Sequence, residues 1–206
     1  MPRVTLIDRG RVRADQAYVV DGASMASAAE PNPQHTRIEF VVWTAVIEAG
    51  GRTYLWDTGT PTDAADDWPD PLYGAFEAYD AHEHTLAGDL TEAGYDIDDI
   101  DAVVMSHLHL DHAGELDAFA GTDTPVYVHR DELQFAFYSA HTDEGSIAYL
   151  ASDFDGDLNW QVVHRHRHTL ADGFELLHLP GHTPGLRGAE IDTGDGTLLI
   201  AGVDVT

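Results

Sequence analysis

The centre of the chain reads Ser106-His107-Leu108-His109-Leu110-Asp111-His112, which offers three imidazoles and one carboxylate within six residues. This stretch directly follows residues 102–105, whose apolar side chains predict a buried strand. A strand end that opens into a loop can present ligands from a rigid scaffold. Imidazole and carboxylate are the ligands that zinc takes where thiolates are missing, and the chain has no cysteine. The stretch therefore predicts a metal site, with a solvated surface histidine cluster as the alternative interpretation.

The spacing within this stretch suggests places for two ions. His107 and His109 are two residues apart, so in an extended loop their side chains point the same way. Asp111 and His112 lie past a bend and can face a second ion. Gly114 then gives the backbone freedom for the turn into the next element. We therefore predict that the two pairs of side chains bind different ions.

Two later segments each add one residue of ligand type. Residues 179–185, Leu-Pro-Gly-His-Thr-Pro-Gly, hold His182 in a turn that two glycines and two prolines stiffen. Asp204 follows the apolar run 198–203, which predicts a strand, and a carboxylate buried there needs a partner such as a metal cation. Taken alone, both signals are weak, because isolated histidines are seldom ligands and aspartates are common in turns.

Together, these motifs resemble those of the metallo-β-lactamase superfamily. The resemblance rests on His-x-His-x-Asp-His at 107–112, on Pro-Gly-His-Thr-Pro-Gly about 70 residues later, and on the aspartate that follows. Within that superfamily the chain resembles the N-acyl homoserine lactonases, the quorum-quenching enzymes. This likeness extends along nearly the whole chain. It includes Trp56-Asp57-Thr58-Gly59, Gly94-Tyr95, Asp98-Asp99-Ile100 and the spacing of 22 residues between His182 and Asp204.

The resemblance implies a fold and a set of metal ligands. The fold is α+β, an αβ/βα sandwich of two β-sheets between helices, and residues 1–206 are expected to form one domain. The cofactors are two divalent metal ions, expected to be zinc. The implied ligands are His107, His109 and His182 for the first ion, Asp111 and His112 for the second, and Asp204 as the bridge between them. Asp57 would orient the histidine loop through hydrogen bonds, with a plain turn aspartate as the alternative.

The activity that the resemblance implies is opening of the lactone ring of N-acyl homoserine lactones by a metal-bridged hydroxide. Asp111 is the candidate catalytic residue, because it can orient the hydroxide and pass a proton to the leaving alkoxide. Tyr73, Phe76 and Leu110 are candidates for the substrate pocket. One alternative is hydrolysis of another ester, lactone or glutathione thioester. The other is a non-hydrolytic module of the flavodiiron type, against which the intact His112 argues.

The chain departs from the lactonase pattern at several positions. Leu186 stands where the family has a histidine after the second Pro-Gly, and Leu110 stands where it often has a bulky aromatic residue. The family also has a tyrosine shortly after the bridging aspartate and a final ligand histidine further on, both beyond Thr206. Because no closing helix follows the last predicted strand, we expect that the C-terminal part of the domain is missing.

The composition is strongly acidic, with 37 Asp and Glu against 10 Arg, no Lys and a formal net charge of −27. Such charge strains a compact domain at low ionic strength, and molar salt screens it because the Debye length falls to about 3 Å. We therefore expect a salt-rich cytoplasm, as in haloarchaea, with an ordinary acidic protein as the alternative. The charge argues against a nucleic-acid partner, and no apolar stretch is long enough for a transmembrane helix. The expected partner is a small neutral lactone or ester, and a homodimer is left open.

The remaining sequence predicts strands with a few helices between them. Residues 38–47 and 53–56 predict a hairpin, because glycines lie between two segments rich in β-branched and aromatic residues. Residues 61–80 predict an ordered loop rich in proline and aspartate. Further along, the pattern predicts helices at 86–93 and 131–140, and strands at 125–129, 161–168, 174–179 and 197–203.

Other histidines carry weaker predictions. His164, His166 and His168 alternate with arginines and would share one face of the predicted strand 161–168. Such a face could in principle bind a metal, but a solvated sheet edge is the expected interpretation. His129 and His178 have no partners by sequence spacing.

Overall fold

Two β-sheets form the framework of the computed structural model, which describes residues 1–18, 20 and 22–202. The strands are β1 (Arg3–Asp15), β2 (Arg37–Ala49), β3 (Arg52–Trp56), β4 (Phe76–Glu77), β5 (Ala102–Val104), β6 (Pro125–His129), β7 (Asn159–Val163), β8 (Arg167–Ala171), β9 (Phe174–His178), β10 (Arg187–Asp192) and β11 (Thr197–Ile200). The helices are α1 (Ala64–Asp67), α2 (Asp70–Ala75), α3 (Leu86–Glu92), α4 (Arg130–Ala140) and α5 (Ala151–Phe154). Within the described residues, one sheet has the order β4-β1-β2-β3-β5-β6-β7 and the other β11-β10-β9-β8.

The first sheet begins with long antiparallel strands. β1 pairs with β2 along most of its length, for example Leu6 with Ala45, and β2 continues into β3 through a turn at Gly50 and Gly51. Both glycines have positive φ, 60° and 76°, a conformation that residues with a side chain rarely adopt. The predicted hairpin is therefore confirmed, and β1 is an additional strand beyond those predicted.

The other half of this sheet is parallel. β3, β5, β6 and β7 run in one direction, with Leu55 beside Val103 and Val103 beside Val126. The carboxyl ends of parallel strands meet at one edge of a sheet, where α/β proteins bind ligands. Asp57 follows β3, and the loop that begins with Ser106 follows β5. The sheet therefore places these two segments side by side.

Side chains from both sheets form the core between them. Along β3, Tyr54 and Trp56 face the second sheet and share a buried cluster with Leu176 and Ile191. Leu55 lies between them, points to the opposite face and belongs to the cluster beneath α3 and α4. This alternation follows from the pleat of a strand. The α+β sandwich of packed sheets that the resemblance implies is confirmed.

The segment 61–80 differs from the predicted loop, because it contains α1, α2 and β4. The prediction of a loop was wrong because the prolines of this segment lie at the start of a helix. Pro69 immediately precedes α2, and Pro71 lies in the first turn of that helix. Proline is tolerated there because the first backbone N–H groups of a helix have no partner within it.

The single strand predicted at 161–168 is wrong. β7 ends at Val163, β8 begins at Arg167, and the two strands belong to different sheets. The alternation of histidine and arginine continues through the turn and so hides the break. His164 and His166 lie in this turn, and they do not share a strand face with His168.

The last predicted strand is confirmed in part, because β11 covers Thr197–Ile200. Residues 203–206, which include the predicted ligand Asp204, lie outside the part of the chain that the structure describes. Among the described helices, none is long and apolar enough to cross a membrane.

Candidate metal centre

Three histidines from two separate loops meet near the ends of β5 and β9. His107 and His109 lie in the loop after β5, and His182 lies in the turn between β9 and β10. One ring nitrogen from each residue lies within 4.8 Å of the other two, and His182 Nε2 is 3.0 Å from His109 Nδ1. The structure thus brings together the three residues that were predicted to bind the first ion.

The chemistry of this trio fits a metal ion. His107 is fully buried, and its Nε2 has no hydrogen-bond partner among the described residues. Its Nδ1 lies 2.9 Å from Ser106 Oγ, so Nε2 is the nitrogen left free. Burial, reinforced by the neighbouring imidazoles, holds the pKa of His107 well below its usual value and that of His109 at about 3. Neutral rings with free lone pairs are what a divalent ion requires of histidine ligands.

Asp111 and His112 lie beside the trio. The rings of His112 and His107 have centroids 4.0 Å apart, and His112 Nε2 is 3.5 Å from Asp111 Oδ2. Burial alone would lower the pKa of His112, but the carboxylates of Asp111 and Asp57 outweigh it and raise the pKa to about 9. The residues predicted for the second ion therefore adjoin those predicted for the first.

Asp57 supports this edge of the site from the end of β3. Its Oδ1 accepts a hydrogen bond from the backbone N–H of Ser106 at 2.6 Å, and its Oδ2 accepts one from Ser106 Oγ at 2.6 Å. The same Oδ2 lies 2.9 Å from His112 Nδ1. Asp57 is 2% exposed and has a positive φ of 56°, an uncommon conformation for a residue with a side chain. Such backbone strain persists only where the surroundings enforce it, which is common at functional sites.

Glu132 in α4 is a second buried carboxylate of the site, and sequence reasoning missed it. Its Oε1 accepts hydrogen bonds from the backbone N–H of Leu108 at 2.9 Å and from the Tyr149 hydroxyl at 2.9 Å. Its Oε2 accepts from Thr183 Oγ1 at 2.5 Å and from the Gly185 N–H at 3.3 Å. Burial raises the pKa of Glu132, and these hydrogen bonds oppose the rise. One oxygen therefore holds the loop of His107 and His109, and the other holds the turn of His182.

An apolar groove opens beside Asp111 and His112. Its other lining residues are Val12, Phe40, Val41, Val42, Trp43 and Phe76. Phe76 is one of the three residues predicted for the substrate pocket. The other two, Tyr73 and Leu110, pack with the neighbouring cluster of Trp68 and Leu72. The groove walls from β1 and β2 were not predicted, because only the pairing of these strands brings them to Asp111.

The two-sheet fold with a histidine-rich edge defines a class of protein. The sequence profile of the metallo-beta-lactamase superfamily matches residues 37–202 of the chain. This match covers most of both sheets and includes the histidine trio. The chain belongs to the metallo-β-lactamase superfamily.

Within that superfamily, the similar proteins include N-acyl homoserine lactonases. AiiB of Agrobacterium fabrum (strain C58 / ATCC 33970) is 28% identical over 211 residues, which cover 97% of this chain and 76% of AiiB. An N-acyl homoserine lactone hydrolase, solved with the product N-hexanoyl-L-homoserine at its catalytic metal centre, has a TM-score of 0.77 and 26% identity over 95% of this chain and 73% of its own. AidC, a dizinc quorum-quenching lactonase, shares the fold with a TM-score of 0.64 at 18% identity over 96% of this chain and 70% of its own.

Proposed function

We propose that this chain is a metal-dependent hydrolase that opens the lactone ring of N-acyl homoserine lactones. The observation that carries the proposal is the apolar groove that ends at Asp111 and His112, beside the histidine trio. A site of this kind can bind an acyl chain along the groove while the polar ring lies at the metal. Similarity to a lactonase over 97% of the chain supports the same substrate class.

Two zinc ions are the proposed cofactors. The proposed ligands are His107, His109 and His182 for one ion, Asp111 and His112 for the other, and Asp204 between them. When bound, such ions lower the pKa of a water molecule towards about 7 and polarise a carbonyl group. The Nε2 of His107, which has no hydrogen-bond partner within residues 1–202 as far as the structure describes them, and the lowered pKa values of the trio support this set of ligands.

Asp111 is the proposed proton carrier. Its side chain is 37% exposed and lines the groove, where a substrate can reach it. As the water oxygen attacks the lactone carbonyl, the water proton passes to the Asp111 carboxylate. The ring C–O bond then breaks, and Asp111 returns the proton to the leaving alkoxide, which gives the N-acyl homoserine. His112, held by Asp57, lies beside this carboxylate and is less exposed, at 20% against 37%.

The charge of the chain favours a neutral substrate. With a net charge of −27, its field repels anions such as a glutathione thioester. The described lining of the groove contains no lysine or arginine that could bind such an anion. An N-acyl homoserine lactone carries no charge and needs no basic partner. The groove and the field therefore favour the lactone over the thioester.

A pH-indicator assay tests the substrate class. It compares N-hexanoyl and N-decanoyl homoserine lactones with γ-butyrolactone and S-lactoylglutathione. We expect turnover of both acyl lactones with proton release at neutral pH, because the product acid ionises well below pH 7. Turnover of the thioester alone would overturn the proposed substrate and leave the metal-dependent hydrolase standing.

The variant Phe76→Ala tests the role of the groove. We expect it to raise KM for the decanoyl lactone by roughly tenfold, since lost apolar contacts of this size discriminate by that order. The KM for γ-butyrolactone should stay unchanged, because this substrate has no acyl chain. Tyr138→Ala removes an exposed aromatic ring on α4 and is the control. An equal effect of Phe76→Ala on both substrates would contradict acyl binding in the groove.

A further inference from the structure

A second group of side chains of metal-ligand type surrounds His178 at the end of β9. His166 lies in the turn between β7 and β8, while His129 and Asp131 lie at the start of α4. The rings of His129 and His178 stack with centroids 3.9 Å apart, and those of His166 and His178 are 5.2 Å apart. These four residues, which we call the His178 cluster, include none of the proposed catalytic ligands.

A hydrogen bond fixes the role of one nitrogen of His178. Its Nε2 lies 2.9 Å from the carbonyl oxygen of Pro184, which can only accept, so Nε2 carries the proton. In the neutral ring, Nδ1 then has a free lone pair, and it faces His166 Nδ1 at 3.2 Å. Two histidine nitrogens on one tetrahedral zinc lie roughly 3.3 Å apart, because each Zn–N bond is about 2.0–2.1 Å. The Nδ1 atoms of His166 and His178 therefore have the spacing of two ligands of one ion. This distance is similar to the 3.0 Å between His182 Nε2 and His109 Nδ1 in the histidine trio.

Asp131 and His129 offer further ligand atoms, and the Nδ1 of His129 also accepts a hydrogen bond from the backbone N–H of Asp131 at 3.3 Å. One such atom from each lies within 4.8 Å of the other and of a His178 nitrogen. His129 is only 3% exposed, whereas the Asp131 side chain is 34% exposed. One side of the cluster is therefore buried in the protein, and the other side faces solvent. The guanidinium groups of Arg187 and Arg130 act electrostatically on His129 and oppose a cation. The Asp131 carboxylate favours one, although it is already paired with Arg130 at 2.7 Å. These opposing charges predict weaker metal binding at the His178 cluster than at the histidine trio.

We propose that the His178 cluster is an additional metal site for a divalent ion of the zinc type. His129, Asp131 and His178, whose ligand atoms lie within 4.8 Å of one another, are its ligands, and His166, which faces His178, completes the set. Imidazole donors favour zinc and similar transition metals over magnesium and calcium. The ion joins the turn between β7 and β8 to the start of α4. Through the bond of His178 to Pro184 it also steadies the turn that carries a proposed catalytic ligand.

Zinc titration of the full chain tests this site without any reference to lactone hydrolysis. Isothermal calorimetry in about 1 M KCl suppresses weak binding to the acidic surface. The titrated protein is the variant His109→Ala, in which the histidine trio has lost one of its ligands. We expect this variant to retain a zinc ion that the further substitution His166→Ala weakens by more than about tenfold. Because His166 is exposed, its removal leaves the core intact.

His141→Ala is the matched control, since His141 also lies near a carboxylate, with its Nε2 3.6 Å from Asp155 Oδ2. It should leave zinc binding unchanged. Thermal melting gives an independent result, because a bound ion stabilises the folded state. Zinc should raise the Tm of His109→Ala and not that of the double variant with His166→Ala. Equal zinc affinity, or an equal rise in Tm, in the two proteins would overturn the site and leave His166 and His178 sharing only a proton.

Discussion

The two buried carboxylates of the candidate metal centre, Asp57 and Glu132, both hold the loop 106–112, but in different ways. Asp57 reaches a proposed ligand directly, with its Oδ2 2.9 Å from His112 Nδ1. Glu132 reaches the backbone and a hydroxyl beside the ligands, through Leu108, Thr183 and Gly185. Asp57 therefore orients one imidazole and favours its protonated or metal-bound form. Glu132 sets the distance between the two loops that carry the trio.

The two carboxylates also differ in their backbone conformation and in the number of hydrogen bonds that they accept. Asp57 follows a strand directly and takes a strained backbone conformation, which its contacts with Ser106 and His112 enforce. Glu132 lies in the first turn of α4, where each carboxylate oxygen accepts two hydrogen bonds. A buried charge is tolerated when such hydrogen bonds replace its hydration. Loss of Asp57 should therefore weaken binding of the second ion more than binding of the first. Loss of Glu132 should weaken binding of the first ion more than binding of the second.

The largest effect is expected from His109→Ala, which removes a ligand while both carboxylates stay in place. Metal binding at the trio and lactone hydrolysis should be lost together, because the first ion loses one of its three imidazole ligands. Metal analysis and the pH-indicator assay measure this, with His82→Ala at an exposed histidine as control. A variant that keeps its activity without the trio's ion would remove the trio from the mechanism.

Asp57→Asn should have the next largest effect. The asparagine keeps the shape but loses the charge and one acceptor oxygen that serve Ser106 and His112. We expect a loss of about 10- to 100-fold in affinity for the second ion and in kcat/KM, the usual cost of losing a partner behind a ligand. Asp98→Asn, at an exposed aspartate, is the control. An unchanged second-ion affinity would show that His112 is oriented by other contacts.

Glu132→Gln should have a smaller effect on activity and a clear effect on stability. Glutamine has one acceptor oxygen, so either the Leu108 side or the Thr183 side loses its partner. A buried donor left without a partner costs about 1–3 kcal/mol, which thermal or urea unfolding can measure. We expect the trio's ion to bind more weakly while second-ion affinity changes less. Glu92→Gln, at an exposed glutamate in α3, is the control, and the reverse order of ion loss would contradict the division of roles.

The concentration of salt should have the smallest effect on the difference in Tm between the Asp57 and Glu132 variants. The net charge of −27 predicts that the Tm of the chain rises from low salt to molar KCl as surface repulsion is screened. Asp57 and Glu132 are buried, so the Tm curves of Asp57→Asn and Glu132→Gln should run parallel to that of the parent. A flat Tm across the KCl series would count against adaptation to a saline cytoplasm.

Sequence reasoning worked where ligands lie close together in the chain or follow a strand. His107, His109, Asp111 and His112 form one motif, and the apolar strand before them predicts that they project from a sheet edge. His182 gave a weaker signal of its own, in a turn that glycines and prolines stiffen, and Asp57 was added by resemblance. The structure brings both to that edge. The pattern of the strands was likewise enough to predict packed sheets with helices, while the arrangement as a sandwich of two sheets was implied by the resemblance.

What could not be predicted depends on contacts between distant segments. Nothing in the sequence distinguishes Glu132 from other acidic residues in the first turn of a helix, and its four partners come from three segments. His129, His166 and His178 have no regular spacing, and they meet because β6, β9 and the turn after β7 lie together. That turn was itself hidden by the unbroken alternation of histidine and arginine at 164–168.

The most direct test of the central claim is the rate of lactone opening by one preparation before and after zinc is restored. The protein is freed of metal with a chelator, dialysed, and titrated with zinc while N-hexanoyl homoserine lactone hydrolysis is followed with a pH indicator. We predict no hydrolysis above background without metal, and a rate that rises with zinc bound at the trio and at Asp111 and His112. A metal-free protein that opens the lactone as fast as the zinc-loaded protein would contradict this account.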